Sequence, residues 1–363
     1  MLNNHPLTPL LEKGGGLGAQ IKNKMKVVIP VAGYGTRLRP HTLTTPKVMM
    51  NVAGKPMLYF IVEQLLRDNI GDKIIFITGF LGDQIEECLK KSFEGIGADK
   101  FEFIVQDEPK GLGHAIHCAK KAFNKNEELL IILGDTLFDV DLKKFIDSKN
   151  SVISVQKVDD PRRFGVVETN AKGEITRFVE KPASKIVSTS NDAIIGLYFF
   201  KNSDSIFNGL EHIVSNGHTT SGEYQLTDAM QYMLQNSQQI PSDVFTIFHI
   251  DAWLDCGKPE TILETNRYLL KKMDHKYDYQ GSTINYPVYI GENVILQNST
   301  IGPNVTINGN CEICDSKIEN SIINKETKIQ RSELKNSMVG EYSVIKNSKG
   351  EINAGPYSEI VGK

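Results

Sequence analysis

The sequence of 363 residues is poor in cysteine, in tryptophan and in charge of one sign. Its five cysteines are odd in number and mostly scattered, which argues against a disulfide framework and favours reduced thiols in the cytoplasm. A formal net charge of -3 supplies no basic field for nucleic acid. No apolar run approaches the roughly 18 residues of a membrane-spanning helix. We therefore expect a soluble protein with neither a nucleic-acid nor a membrane partner.

The composition itself is that of an ordinary globular protein, with 40% hydrophobic and 23% charged residues. A length of 363 residues is enough for two domains. The first segment, residues 1–24, holds two prolines and a glycine cluster without a continuous apolar stretch, so we expect a disordered extension and no secretory signal. Met25 immediately precedes the first strand pattern and is an equally good natural start.

Strand-like and helical patterns alternate from Met25 onward. Short apolar runs at 27–31, 74–77 and 129–133 predict strands, and the segments 58–66 and 112–123 between them have helical spacing. This rhythm predicts an α/β fold with a mostly parallel sheet. The stretch 164–182 departs from it and is typical of an antiparallel hairpin.

A different pattern begins after a helical segment at 258–273. Aliphatic residues recur every five or six positions, at Ile290, Ile295, Ile301, Ile307, Ile313, Ile318, Ile323, Ile329, Leu334, Val339 and Ile345. Such a period is typical of hexapeptide repeats, which form a parallel β-helix. We predict an α/β domain at 25–278 and a short β-helix of about three or four three-sided coils at 279–363.

A glycine-rich loop, Ala32-Gly33-Tyr34-Gly35-Thr36-Arg37, follows the first strand directly. Ligands of open α/β sheets bind at the carboxyl ends of the strands, where glycines let backbone N–H groups approach phosphates. The loop has neither the third glycine of a dinucleotide fingerprint nor the ending of a Walker A loop. Arg37 and the later Lys47 would supply two fixed cations, which suit a triphosphate.

This segment resembles a known family. Its pattern G-x-G-T-R-L-x-P, with Pro46-Lys47 after it, is similar to that of sugar-1-phosphate nucleotidylyltransferases, and the resemblance covers about residues 25 to 270. It implies a Rossmann-like nucleotidyltransferase domain followed, as in longer members, by a left-handed parallel β-helix. It also implies that Arg37 and Lys47 are catalytic and that the loop residues bind substrate, namely Ala32, Gly33, Gly35 and Thr36.

The segment from Gln106 to Ala115 looks like the base-reading loop of the thymidylyl and uridylyl enzymes. A glutamine amide can donate and accept in one plane, which suits the N3–H and O4 edge of thymine or uracil. Gly111 would let a backbone group meet the base. Gln106 and Gly111 are therefore predicted to bind the nucleotide.

Two aspartates are the predicted magnesium ligands and catalytic residues. Asp135 follows an apolar strand in Leu133-Gly134-Asp135, with Gly134 at the substrate, and Asp255 belongs to a segment similar to the family's W-x-D-x-G. Magnesium takes hard oxygen ligands, usually one or two carboxylates together with substrate phosphates. Their convergence on one Mg²⁺ follows from the resemblance alone.

The sugar side is predicted from further resemblances. Glu180-Lys181-Pro182 looks like the family's E-K-P, which implies a carboxylate on sugar hydroxyls and a catalytic ammonium, that of Lys181, on the sugar phosphate. Gly165 and Gly196 match glycines that admit the hexose ring. The segment containing Glu223 and Asp228 matches one near the sugar.

Together these features predict transfer of a nucleotidyl group from dTTP or UTP to a hexose 1-phosphate, such as glucose 1-phosphate, by a homo-oligomeric enzyme. A mannose-1-phosphate guanylyltransferase is the alternative within the class. Outside it, a hexapeptide acyltransferase would need a histidine base, but the last histidine, His275, precedes the repeats. A catalytically silent regulatory subunit would have no chemical need of the retained charged residues.

Overall fold

Strands and helices alternate through the first three quarters of the chain in a computed structural model, which describes residues 24–184, 186–236, 244–250 and 252–362. The expected extension at 1–24 lies outside these residues, apart from Lys24. The strands are β1 (Met25–Pro30), β2 (Asn51–Val52), β3 (Lys55–Pro56), β4 (Lys73–Thr78), β5 (Phe101–Val105), β6 (Glu128–Ile132), β7 (Thr136–Asp139), β8 (Ser151–Lys157), β9 (Gly165–Thr169), β10 (Ile175–Glu180), β11 (Asp192–Phe200), β12 (Phe245–His249) and β13 (Ala252–Asp255). The helices are α1 (Met57–Arg67), α2 (Gly82–Ser92), α3 (Leu112–Cys118), α4 (Leu142–Ile146), α5 (Ser203–Ser215), α6 (Leu226–Gln235) and α7 (Pro259–Leu270).

The centre of the large sheet is parallel, in the order β6-β1-β4-β5. Its strands are continuous apolar runs because helices cover both faces, and Val28 and Ile75 are fully buried on one face as Val27 and Ile74 are on the other. Parallel strands end at the same edge of a sheet. The segments after β1, β5 and β6, which carry the predicted nucleotide residues, therefore meet there.

The remaining strands make the sheet mixed. β11 runs antiparallel to both β6 and β8, and β12 pairs in parallel with β8. β9 and β10 form the predicted antiparallel hairpin, which joins β11 where Ala193 lies opposite Val166. A separate ribbon pairs β13 with β7. In the part of the chain that the structure describes, no helix is both long and apolar enough to cross a membrane.

The second region is a left-handed parallel β-helix, as predicted. Its strands are β14 (Thr283–Ile284), β15 (Val288–Ile290), β16 (Ile295–Gln297), β17 (Thr300–Ile301), β18 (Val305–Ile307), β19 (Glu312–Cys314), β20 (Lys317–Glu319), β21 (Ile322–Ile323), β22 (Lys328–Gln330), β23 (Glu333–Lys335), β24 (Met338–Val339), β25 (Val344–Lys346), β26 (Lys349–Gly350), β27 (Asn353–Ala354) and β28 (Glu359–Val361). Every third strand belongs to the same face, which gives three five-stranded parallel sheets.

The predicted number of coils, three or four, is wrong, since five strands per face make five coils. The last coil escapes the aliphatic pattern because two of its inward positions are small: Gly350 stacks under Leu334 and Ala354 under Val339. Ile295, one of the recurring aliphatic residues, does not point into the β-helix. It is 51% exposed, and its neighbour Leu296 is the residue that points inward.

The two regions share a packed interface. Ile322 and Met338 point outward from the β-helix and are buried in the same apolar cluster as the core between the sheet and α1. Asn266 of α7 accepts hydrogen bonds from the Thr306 hydroxyl at 2.7 Å and from the Ala53 backbone N–H at 2.8 Å. The β-helix is thus attached to the α/β region through both apolar and polar contacts.

Candidate active site

A cleft of about 500 Å³ opens at the carboxyl ends of the parallel strands. Eight of the predicted site residues line it: Ala32, Gly33, Gly35, Thr36, Lys47, Gln106, Gly111 and Asp135. Tyr34, Pro109 and Leu112 are also in its wall, together with Glu223, whose segment was predicted to lie near the sugar. The other predicted residues lie outside this lining. The sheet topology therefore brings together segments that are a hundred residues apart in the sequence.

The glycine-rich loop turns sharply at Gly35. This residue has φ of 62°, a left-handed conformation that costs glycine little. Its carbonyl accepts a hydrogen bond of 2.8 Å from the Thr42 hydroxyl, and an added Cβ would lie 2.9 Å from the Lys47 Cβ. By contrast, nothing lies within 4 Å of the corresponding position at Gly33. The loop is thus fixed at Gly35 and open at Gly33.

Lys47 and Asp135 form an ion pair at the floor of the cleft. The Lys47 side chain is only 10% exposed and that of Asp135 is 35% exposed, so the carboxylate is the more accessible member of the pair. Burial raises the pKa of Asp135, but the charge of Lys47 and its hydrogen bond lower that pKa by a larger amount. The pKa of Asp135 thus lies below its usual value. Asp135 is therefore ionised at neutral pH.

Asp255, which is 120 positions further along the sequence, lies next to Asp135. It lies opposite Thr136 in the β13–β7 ribbon, and the Cys256 N–H donates to the Asp135 carbonyl at 3.2 Å. Burial first, and the negative charge of Asp135 second, raise the pKa of Asp255 above its usual value. The two carboxylates thus lie close enough to repel each other.

Arg37 lies beside this carboxylate pair. A Cβ added at Gly257 would be 3.0 Å from both the Arg37 Nη2 and the Asp255 Oδ1, so these two groups converge on one glycine. Gly257 was not predicted as a site residue, although it stands in the quoted W-x-D-x-G segment. Its missing side chain leaves the space in which Arg37 and Asp255 approach each other.

The donor set of this pair fits a magnesium ion. Among residues 24–184, 186–236, 244–250 and 252–362, no group of three or more His, Cys, Asp or Glu side chains is placed to hold a metal. Two carboxylates alone are the usual protein contribution to a Mg²⁺ that takes its remaining ligands from phosphates and water. Burial first, and the charge of Asp135 second, disfavour the ionised form of Asp255, and a bound cation would stabilise that form.

Gln106 is buried in the opposite wall of the cleft, with 6% of its surface exposed. Its Nε2 donates to the Gly111 carbonyl at 3.3 Å and to His114 Nδ1 at 3.0 Å. Burial lowers the pKa of His114, which keeps the ring neutral and its Nδ1 able to accept. The amide donor that the sequence suggested for O4 of the base is therefore engaged inside the loop, so the acceptor Oε1 is the part of the amide left for a ligand.

Gly111 has φ of 101° and lies against the 220–225 segment. An added Cβ there would be 2.8 Å from both the Glu223 Cβ and the Tyr224 carbonyl oxygen. The Gly113 N–H donates to that carbonyl at 2.8 Å. Glycine is thus required at position 111 by both its conformation and its neighbours, and the base-side loop is held rigidly.

The predicted sugar residues form a second cluster at the end of the hairpin. The Glu180 side chain is 11% exposed, accepts a 2.7 Å hydrogen bond from the Thr227 hydroxyl and pairs with the Lys181 Nζ at 3.3 Å. An added Cβ at Gly165 would lie 3.1 Å from the Glu180 Oε2. Lys181 has φ of 44°, which is uncommon for a residue with a side chain and occurs at ligand sites. Thr227 was not predicted, although it lies between Glu223 and Asp228 in the segment that was predicted to lie near the sugar.

Two predicted glycines have packing roles in this structure. At Gly196, with φ of 96°, an added Cβ would be 2.7 Å from the Leu133 side chain. At Gly134 it would be 2.7 Å from the Val31 side chain. Both glycines let the strand ends that carry the cleft residues approach closely. Asp228, predicted near the sugar, has a buried Oδ2 with no hydrogen-bond partner among the described residues.

Comparisons with known proteins agree with these observations. A family model described as nucleotidyl transferase matches residues 26–272. The bifunctional protein GlmU of Methanococcus vannielii is 31% identical over 332 residues, which are 84% of this chain and 75% of GlmU. A glucose-1-phosphate thymidylyltransferase of Streptomyces griseus is 27% identical over 325 residues, covering 82% of this chain and 87% of that enzyme.

A solved structure of UDP-glucose pyrophosphorylase complexed with UDP-glucose matches with a TM-score of 0.56 and 26% identity, over 69% of this chain and 100% of that one. The model match alone spans well over half of the 363 residues. The family resemblance predicted from the glycine-rich loop is confirmed, and the chain belongs to the nucleotidyl transferase family.

Proposed function

We propose that the protein transfers a nucleotidyl group from dTTP or UTP to a hexose 1-phosphate and releases pyrophosphate. One observation carries the proposal: the glycine-rich loop, the Lys47–Asp135 pair and Gln106 line a single cleft at the carboxyl edge of the sheet. Such a cleft offers phosphate contacts at one wall and a base contact at the other. The Streptomyces griseus relative, named for this chemistry on glucose 1-phosphate, supports the choice.

The proposed reaction is a single displacement. An oxygen of the sugar phosphate attacks the α-phosphorus of the nucleotide, and the bond between that phosphorus and the bridging oxygen of pyrophosphate breaks. A phosphate monoester needs no strong base to act as nucleophile, so catalysis consists of positioning and charge neutralisation. The chain's own cations for this work are Arg37 and Lys47 on the triphosphate and Lys181 on the sugar phosphate.

Asp135 and Asp255 would hold the magnesium ion, which when bound supplies charge neutralisation for the phosphates. Asp135 is suited to this role because Lys47 keeps it ionised. Asp255 is suited because a nearby cation would stabilise its ionised form, which burial and then the charge of Asp135 disfavour. Glu180, held by Thr227, would accept hydrogen bonds from sugar hydroxyls.

Base selection is assigned to Gln106 through its Oε1, which would accept the N3–H of thymine or uracil. The engaged Nε2 leaves O4 of the base to backbone donors of the loop. We expect Gln106→Glu to lower the specificity constants for dTTP and UTP by about tenfold or more, since the buried charge and the lost loop bond each cost about 1–3 kcal/mol. The sugar-phosphate KM should change far less. An equal loss for both substrates would contradict the assignment.

The experiment that tests the proposed function is pyrophosphate release by the full chain from each nucleoside triphosphate, crossed with the 1-phosphates of glucose, mannose, galactose and N-acetylglucosamine. We expect release only when both substrates are present, with dTTP or UTP preferred. A preference for GTP would favour the guanylyltransferase alternative. No release from any pair would refute the proposal.

A further inference from the structure

The segment that links the glycine-rich loop to Lys47 rests on the far end of the β-helix. His41 is 2% exposed, and its Nε2 lies 2.7 Å from the Asn353 Oδ1 in the last coil. Next to it, a Cβ added at Gly355 would lie 3.0 Å from the Pro40 Cβ. This contact therefore joins the C-terminal coil to a stretch of chain that begins and ends with proposed phosphate-binding residues.

The histidine side of the contact has one defined arrangement. Burial lowers the pKa of His41 and the hydrogen bond to Asn353 offsets this only in part, so the ring is neutral at physiological pH. A neutral ring has a single N–H. Because the Asn353 Oδ1 is an acceptor, that proton is on Nε2 and is donated to the β-helix.

The residue after His41, Thr42, contacts the glycine-rich loop. Thr42 is also 2% exposed, and its hydroxyl donates to the Gly35 carbonyl at 2.8 Å. Gly35 in turn is wedged between Thr42 and Lys47, since an added Cβ would lie 3.0 Å from the Thr42 Cγ2 and 2.9 Å from the Lys47 Cβ. The turn of the glycine-rich loop is thus braced by a residue adjacent to the one that Asn353 holds.

We propose that Asn353 is a positioning residue, which holds the glycine-rich loop in its nucleotide-binding conformation through His41 and Thr42. The effect of Asn353 on catalysis rests on the proposed function, whereas its contact with the loop segment does not. The β-helix, which has no chemistry of its own in this account, would then contribute one coil to the nucleotide site. Its contribution is to preorganise the loop before the triphosphate arrives.

The test uses Asn353→Ala in the full chain, with Glu359→Ala as control. Both residues are exposed strand positions of the last coil, but Glu359 lies on another face of the β-helix. We expect Asn353→Ala to raise the KM for the nucleotide by about threefold to tenfold, the range for one neutral hydrogen bond. The kcat and the KM for the sugar 1-phosphate should stay close to the values of the control. Asn353→Asp keeps an acceptor and should restore the nucleotide KM.

A second readout does not depend on activity. Hydrogen–deuterium exchange of the backbone amides at 33–38 should be faster in Asn353→Ala than in the unmodified chain or in Glu359→Ala, with no nucleotide present. Unchanged exchange there would overturn the positioning role, as would equal rises in KM for both substrates. An unmodified chain that released no pyrophosphate, yet showed the exchange difference, would refute the proposed function and leave the loop contact supported.

Discussion

The cleft and the β-helix handle their charges in opposite ways. Along the β-helix, lysines and glutamates of successive coils pair at the surface, as Lys328 does with Glu312 at 3.2 Å and Lys335 with Glu319 at 3.1 Å. At the floor of the cleft, Asp135 pairs with Lys47 but also has Asp255 beside it, and burial and the charge of Asp135 raise the pKa of Asp255. The β-helix thus pairs its surface charges with one another, whereas the site also keeps two carboxylates side by side, an arrangement that a bound cation would stabilise.

This difference in charge pairing predicts different effects of substitution in the two regions. A repeating coil stacks like residues, so each one finds its partner in the coil above or below. A substrate site has to hold charges that complement an absent ligand, and such charges are not at their most stable arrangement without it. Substitutions in the cleft should therefore cost activity, and substitutions in the β-helix interior should cost stability.

The largest effect is expected at Asp135. Asp135→Asn should lower turnover by about two to three orders of magnitude, the usual cost of removing one preorganised charged group at a reacting centre. Asp139→Asn is the matched control, because Asp139 lies at the other end of β7 and pairs with Lys272 at the surface. Steady-state kinetics and circular dichroism of both variants check the prediction, and near-normal turnover of Asp135→Asn would refute the assignment.

The converse test lies inside the β-helix. Ile318 is fully buried, so Ile318→Ala should lower the free energy of unfolding by about 2–5 kcal/mol. Below the melting temperature its kcat should match that of the unmodified chain. Ile295→Ala is the control, since Ile295 is 51% exposed and its truncation removes little buried surface. Denaturant titration of both variants measures the free energy of unfolding. A loss of kcat in the folded Ile318→Ala protein would contradict the view that the β-helix interior contributes to stability and not to activity.

The smallest effect is one of pH on stability. The folded pKa of Asp255 is raised above 3.8, so the stability linked to this carboxyl is present below that value and lost as the pH rises through the folded pKa. Asp255→Asn should therefore become more stable than the unmodified chain as the pH rises from about 4 to about 7. The folded pKa of Asp139 is lowered below 3.8, so the stability linked to it is present above that value and lost as the pH falls through the folded pKa. Asp139→Asn should therefore keep a nearly constant difference from the unmodified chain between about pH 4 and 7 and lose that difference only below about pH 4. Urea midpoints measured across this range would contradict the account if both variants behaved alike.

The regularity of the β-helix explains why the sequence predicted its fold well and its details less well. A period of five or six residues can be recognised in a single sequence. The last coil does not show it, because Gly350 and Ala354 replace large aliphatic residues there. Ile295 and Leu296 are adjacent aliphatic residues, so the sequence offered two candidates for one inward position. Small side chains caused the first error, and the choice of which of two adjacent residues points inward caused the second. Only the register between neighbouring coils resolves them.

The cleft was predictable as a set of motifs but not as a geometry. Glycines at a strand end and paired cations indicated a phosphate site, and topology brought Gln106 and Asp135 to it. The sequence could not predict that the amide of Gln106 is hydrogen-bonded inside the loop, because the orientation of this side chain depends on His114 and on the fold of the whole loop. The contact of His41 with Asn353 was equally hidden, since nothing in two isolated polar residues 312 positions apart indicates that they meet.

The central claim is that the cleft transfers the nucleotidyl group directly between two phosphates, with positioned charges and no covalent intermediate. Its most direct test is the stereochemistry at the α-phosphorus, measured with a dTTP or UTP analogue that carries sulfur at one α-oxygen in a known configuration. A single in-line displacement predicts inversion in the sugar-nucleotide product. Retention would mean that an enzyme side chain is nucleotidylated first, and would contradict the account.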